Sequence, residues 1–184
     1  MTYKRSAGLL LFRRAAAEAT AEATAEATAE ATAETAAGTS GTSGNPGIEV
    51  LLGHMGGPFW ERRDAGAWAI PKGEYEQDET PLDAARREFT EEIGLPPPEG
   101  PYLPLGEARM PGGKLVTIWA VRADLDPALM VPGTFTMEWP PGSGRTAEFP
   151  ELDHIAWFTP EVARTKLVTS QITFLDRLLE LPEG

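Results

Sequence analysis

The chain has no cysteine, which excludes disulfide bridges, thiolate metal sites and cysteine nucleophiles, and agrees with a reducing compartment. It is also short of positive charge. With 16 basic against 28 acidic residues the net charge is −12 and the calculated pI is near 4.6, so the basic face that a nucleic-acid duplex binder needs is missing. Long apolar runs are absent as well. The apolar stretch at residues 7–12 follows Lys4-Arg5 but is too short for a signal peptide and ends in Arg13-Arg14. It reads as the first strand of a cytoplasmic protein with no membrane partner. What is present, 184 residues with 41% apolar content, suits one domain with a substantial core.

Part of the acidity is local. Glu18, Glu22, Glu26, Glu30 and Glu34 belong to an Ala-Glu-Ala-Thr repeat from about Ala17 to Thr35. Glutamates four apart stack like charges on one helix face, and no large apolar residue is there to dock the segment. Thr39-Ser40-Gly41-Thr42-Ser43-Gly44-Asn45-Pro46-Gly47 follows as a flexible linker. Residues 15–47 therefore read as a low-complexity insertion between the first two strands, with a partner-binding arm as the functional alternative.

The dense chemistry lies between Gly73 and Leu95. Thr80 suits an N-cap, Pro81 the first helical position and Asp83 the first turn, where its charge complements the helix dipole. Leu82, Ala85, Phe89 and Ile93 recur at helical spacing, and Gly94 with the prolines at 96–98 supplies a stop, so a helix is expected from Pro81 to Ile93. On it Glu88, Glu91 and Glu92 stand at i, i+3 and i+4, which converges their carboxylates on one patch. Without a cation they would repel one another. Mg²⁺ or Mn²⁺ prefers carboxylate and water oxygens together with substrate phosphates, and three clustered glutamates fit that demand. Ala84, one turn before Glu88, is expected to leave room for a substrate above the ions. A solvated acidic face is the bland reading. Against it, the seven identities Gly73, Glu79, Arg87, Glu88, Glu91, Glu92 and Gly94 at fixed spacing recur by chance with a probability on the order of 10⁻⁸ per start position.

The run Gly73, Glu79, Arg87-Glu88-Phe89, Glu91-Glu92, Gly94-Leu95 resembles in full the Nudix box, the signature of hydrolases that act on a nucleoside diphosphate linked to another group. The resemblance implies an α/β fold, an α/β/α sandwich with a mixed central sheet, and a box forming a loop-helix-loop at the active site. It implies that Glu88, Glu91 and Glu92 bind divalent ions, that Gly73 gives its carbonyl to one ion, and that Glu79 and Arg87 brace the loop. Two positions depart from the commonest wording: Lys72 and Asp78 stand where glycine is frequent. Asp tolerates the left-handed conformation, and Lys72 adds a positive charge at the edge of the site. The similarity extends to Ser6–Phe12, to Trp68-Ala69-Ile70-Pro71-Lys72-Gly73 and to Ala156-Trp157-Phe158, and the approach to the box resembles the diadenosine-polyphosphate hydrolase branch. Nudix enzymes often recruit a further glutamate from outside the box, and Glu148 and Glu151 are both candidates.

Strands are expected near residues 6–13, 48–54, 67–71, 102–109, 114–122 and 153–158. Thr159-Pro160-Glu161 opens another helix, and Ile172, Leu175, Leu178 and Leu179 form the core-facing stripe of a C-terminal one. Trp60 and Trp139, in Gly- and Pro-rich stretches, are candidates for stacking a base, ahead of Trp68, Tyr102 and Trp119. Lys72 is the best phosphate contact, with Arg62, Arg63 and Lys114 behind it. His54 and His154 read as structural sooner than catalytic. The expected activity is Mg²⁺-dependent hydrolysis of a phosphoanhydride in a nucleotide-type small molecule, with Mn²⁺ as a substitute. A dinucleoside polyphosphate is the preferred substrate. The alternatives are a nucleoside triphosphate pyrophosphohydrolase and a non-catalytic Nudix-like nucleotide sensor, against which the intact carboxylate set argues.

Overall fold

A computed structural model of the chain describes residues 4–15, 47–76 and 78–182. Strand β1 (Arg5–Arg14) is apolar on both faces because it is central: Leu9 and Leu11 enter one core, Leu10 the other. On one edge of β1 lies β6 (Leu115–Arg122), parallel to it from Arg5↔Leu115 to Phe12↔Arg122, and β5 (Leu103–Arg109) follows antiparallel outside β6.

The other edge of β1 is shared. Its last residues pair with β2 (Ile48–Met55) and its first with β4 (Lys72–Tyr75), both antiparallel. On β2 the short β3 (Trp68–Ala69) and the long β9 (Leu152–Phe158) complete a seven-stranded mixed sheet. The strand expected at residues 67–71 is thus cut to Trp68–Ala69, and a further strand that was not expected, β4, starts beyond it at Lys72. Pro71 has no N–H to give a ladder, and between Ala69 and Lys72 the chain crosses from β2 to β1 while the Ile70 N–H donates to Gln171 Oε1 at 2.8 Å. A separate antiparallel ribbon, β7 (Thr134–Glu138) with β8 (Thr146–Pro150), was not expected at all, and it places Glu148 on a strand.

Helix α1 (Pro81–Ile93) has the expected bounds. The Thr80 side chain accepts from the Asp83 N–H at 3.2 Å, and Gly94 closes the helix at φ 76° with its N–H on the Thr90 carbonyl. Ala85, Phe89 and Ile93 are fully buried against Leu9, Leu11 and Leu51. Leu82 is only half-buried, and Ala84 is fully buried in the same core, so the space it was expected to leave for a substrate is filled by packing. On the other sheet face lie α2 (Pro160–Lys166) and α3 (Ile172–Leu179), where Phe174, Leu175 and Leu178 are buried and Ile172 and Leu179 pack at the rim. The result is the expected α/β/α sandwich. The Ala-Glu-Ala-Thr repeat and all of its linker but Gly47 fall in residues 16–46, outside the described residues; the Ala15 N–H donates to the Gly47 carbonyl at 2.6 Å where the flanks meet.

Candidate metal centre

Strand β4 places the start of the box. Pairing with β1 sets Gly73 opposite Ala7 and lays β4 beside α1, where the Lys72 backbone N–H donates to Glu92 Oε2 at 2.8 Å. A Cβ at position 73 would run into the Glu88 carboxylate and displace it, so close approach rather than backbone dihedral favours glycine here. One turn apart on α1, Glu88 and Glu92 are buried at 8% and 9% exposure, while the Glu91 side chain remains 55% exposed.

Arg87 organises the rest. Its Nε and Nη2 donate to the two oxygens of Glu79 at 3.0 and 2.9 Å, its Nη1 to Glu88 at 2.6 Å and Glu91 at 3.0 Å, and its Nη2 also to the Glu74 carbonyl at 3.2 Å. These five bonds match the five N–H donors of a guanidinium. The hydrogen bonds from Arg87 hold the Glu79 carboxyl below the usual carboxylate range, and Glu79 in turn raises the Arg87 pKa. Among the described residues the glutamates do not close into a ligand set as they stand, because Arg87 draws in Glu88 and Glu91 while the Lys72 N–H holds Glu92. That differs from the single patch expected from helical spacing.

Burial dominates the two inner carboxyls. It raises Glu88 despite Arg87, and it pushes Glu92 up to about 8 despite the opposing charge of Lys72. Lys72 itself keeps part of its surface in solvent, yet enclosure of its ammonium group lowers its pKa, with Glu92 opposing. An all-oxygen donor set of two carboxyls whose burial outweighs the nearby charges of Arg87 and Lys72 suits a hard divalent ion.

Of the two outside glutamates, the fold brings in Glu151. Its N–H donates to the Gly133 carbonyl at 2.9 Å, Gly133 in turn donates to the Glu92 carbonyl at 3.4 Å, and the Glu151 charge acts on Glu88, Glu92 and Lys72. Glu148 is exposed on β8 opposite Thr136.

The candidate substrate contacts scatter. Trp60 packs at the rim of the core on the α2/α3 face, with the Arg63 guanidinium 5.4 Å from its ring, and Arg62 is exposed. Trp68 is buried with its Nε1 donating to Asp64, Tyr102 donates to the Pro98 carbonyl, and Lys114 pairs with Glu74 at 2.7 Å. Trp119 is half-buried in the core beneath α1. Trp139 stands at the end of β7, edge-on to Phe59 at 5.5 Å and Phe149 at 6.3 Å. Sequence reasoning missed that aromatic group; the alternation of Phe135 and Met137 with polar neighbours was its one signal.

The NUDIX domain family matches residues 42–178. Over 54 residues the chain is 44% identical to an RNA pyrophosphohydrolase of Hahella chejuensis, covering 29% of this chain and 33% of that protein. Over 59 residues it is 46% identical to an RNA pyrophosphohydrolase of Francisella tularensis subsp. mediasiatica, covering 32% and 37%. The chain thus matches about a third of the length of these relatives. A C. elegans Ap4A hydrolase binary complex shares the fold at a TM-score of 0.53 and 17% identity, covering 94% of each chain. The NUDIX domain of Shewanella oneidensis NrtR, complexed with ADP ribose, does so at 0.54 and 13% identity, covering 98% of this chain and 88% of that one. With a family match across most of its length and the box glutamates Glu88, Glu91 and Glu92 on α1, the chain belongs to the NUDIX domain family.

Proposed function

We propose that the chain is a divalent-metal-dependent hydrolase of phosphoanhydride bonds in nucleoside diphosphate-linked compounds, with a dinucleoside polyphosphate of the diadenosine tetraphosphate type as preferred substrate. The observation that carries the reading is the pair of buried carboxyls, Glu88 and Glu92, with Glu151 beside them and Gly73 kept clear of a side chain. Glu88, Glu91, Glu92 and Glu151, with the Gly73 carbonyl, would hold Mg²⁺ or Mn²⁺. When bound, such an ion neutralises bridging phosphates and acidifies water.

The chain's own residues supply positioning and proton transfer. A water attacks one phosphorus in line, the P–O bond to the bridging oxygen breaks, and a carboxylate of the cluster takes the proton from the water. Arg87 fixes where the carboxylates stand, and Glu79 fixes Arg87. Lys72 supplies charge to a phosphate away from the scissile bond. Replacing it with alanine is expected to lower kcat/KM for diadenosine tetraphosphate more than for a shorter diphosphate compound; equal losses would refute that role.

A second reading is removal of pyrophosphate from the 5′ end of a triphosphorylated RNA, favoured by the local identity to RNA pyrophosphohydrolases. The same experiment tests both. The purified chain is assayed with Mg²⁺ and Mn²⁺ on dinucleoside polyphosphates, nucleoside triphosphates, nucleotide sugars and 5′-triphosphate RNA, and the products locate the bond cut. Failure to cleave any member would overturn the hydrolase reading, and cleavage of RNA alone would replace the substrate.

A further inference from the structure

A second set of ligand-type side chains lies away from the glutamates. His54 of β2 pairs with His154 of β9, and Asp153 precedes His154. The two imidazoles stack, with centroids 4.9 Å apart and planes inclined by 25°. Both turn Nδ1 toward one carboxylate: His54 Nδ1 is 2.9 and 3.0 Å from the Asp153 oxygens, and His154 Nδ1 is in hydrogen-bond contact with Asp153 Oδ1. One ligand atom from each of the three residues lies within 4.8 Å of the other two.

The far side of His54 is already committed. Its Nε2 lies 2.7 Å from the Arg63 carbonyl, and a carbonyl only accepts, so Nε2 carries the N–H. In the neutral ring Nδ1 then presents a lone pair to a carboxylate, an arrangement relieved either by a proton on Nδ1 or by a cation that both groups ligate. Metal-bound histidines commonly donate their other ring N–H to a backbone carbonyl in this way. Packing fixes both rings, since His54 is 4% exposed and Trp68 meets His54 and His154 edge-on at 5.2 and 4.8 Å. The His154 side chain is 57% exposed and leaves a side open to solvent.

We infer that His54 Nδ1, His154 Nδ1 and an Asp153 oxygen form a binding site for a borderline first-row divalent cation of the Zn²⁺ class, separate from the glutamate centre. Two imidazoles and one carboxylate suit Zn²⁺ far better than Mg²⁺, and three protein ligands leave the fourth position to water. Trp68 belongs to the core under α2 and α3, whereas α1, which carries Glu88, Glu91 and Glu92, packs on the opposite sheet face. The ion would tie β2 to β9 where their register shifts between His54 and Met55, beside the strand entry that carries Glu151.

The test uses the full-length chain, stripped by a chelator, in a Glu91→Gln/Glu92→Gln background so that the glutamate centre does not report. Co²⁺ is titrated as a spectroscopic substitute. The expected result is one equivalent bound with the intense visible bands of four-coordinate Co²⁺, displaced by Zn²⁺ and not by a large excess of Mg²⁺. His154→Ala, at an exposed position, should weaken Co²⁺ binding by more than about tenfold and abolish the bands with circular dichroism unchanged. Asp153→Asn gives the same reading if His154→Ala does not fold. Absence of four-coordinate bands in the parent, or unchanged binding in both variants, overturns the site.

Discussion

Glu79 and Arg87, eight residues apart, meet in a two-point ion pair, Nε to Oε1 at 3.0 Å and Nη2 to Oε2 at 2.9 Å. That pair leaves Nη1 free to hold Glu88 and Glu91, so the loop glutamate acts on the helix glutamates only through the guanidinium. A lysine carries three donors on one point and cannot span these partners. Arg87→Lys and Glu79→Gln are each expected to lower kcat/KM by roughly ten- to a hundredfold, and the double variant to lose no more than the worse single one, because both break one device. Independent, multiplicative losses in a double-mutant cycle would show that Glu79 works by another route.

Gly73→Ala tests the close approach of β4 to α1. The added methyl meets the Glu88 carboxylate, and either the carboxylate or the strand must move. The expected cost is about 1–3 kcal/mol in urea denaturation, as for overpacking elsewhere, with loss of turnover out of proportion to the stability change. Unchanged turnover in the folded variant would detach Glu88 from the chemistry.

The buried carboxyl of Glu92 gives a pH dependence with a definite sign. Its folded pKa, pushed up to about 8, lies above the unfolded value, so between about pH 4.5 and 8 the folded state holds a proton that the unfolded state has lost. Stability of the metal-free protein should therefore fall as pH rises through that window, by at most about 1.4 kcal/mol per pH unit from this one group. Glu79, held low by Arg87, acts below the window, where its contribution is lost as pH falls. Lys72, held below its ordinary value, acts in the opposite sense toward alkaline pH. Melting temperatures from pH 5 to 8 should show the decline in the parent and a flatter profile in Glu92→Gln. Added Mg²⁺ should raise the parent's melting temperature more at pH 8 than at pH 6, since the ion competes with the proton.

What the sequence made legible was what local physics decides. The bounds of α1 follow from Thr80, Pro81 and Gly94, each acting on its neighbours, and the alternation of Leu9, Leu10 and Leu11 between two cores follows from their position in a central strand. The early end of β3 at Ala69 and the start of β4 at Lys72 depend on which strand edge each meets, a long-range fact that a continuous run of apolar residues at 67–71 does not carry. The ribbon of β7 and β8 was missed because its alternation spans only five residues per strand and its apolar face is only half-buried. In the candidate centre, the helical glutamates could be read from spacing. The fivefold use of Arg87 and the part of Asp153 between two histidines could not, since each joins elements distant in sequence.

Glu148 and Glu151 are three residues apart and chemically identical, so they form a controlled comparison. The fold separates them by turning the chain out of the exposed ribbon at Pro150: Glu148 faces solvent opposite Thr136, whereas the Glu151 backbone is held by Gly56 and Gly133, and Gly133 is itself bonded to α1 at Glu92. Only Glu151 is placed to act on Glu88, Glu92 and Lys72. Glu151→Gln should weaken Mg²⁺-dependent turnover by about tenfold or more, with the deficit shrinking at high Mg²⁺ if the lost charge helped hold the ion. Glu148→Gln should stay within about twofold of the parent at every Mg²⁺ concentration, as expected of a solvated surface position. Turnover as a function of Mg²⁺ in the two variants decides the matter. A deficit confined to Glu148→Gln would reverse the assignment, and a Glu151→Gln deficit that persists unchanged at saturating Mg²⁺ would move Glu151 from ion holding to proton transfer.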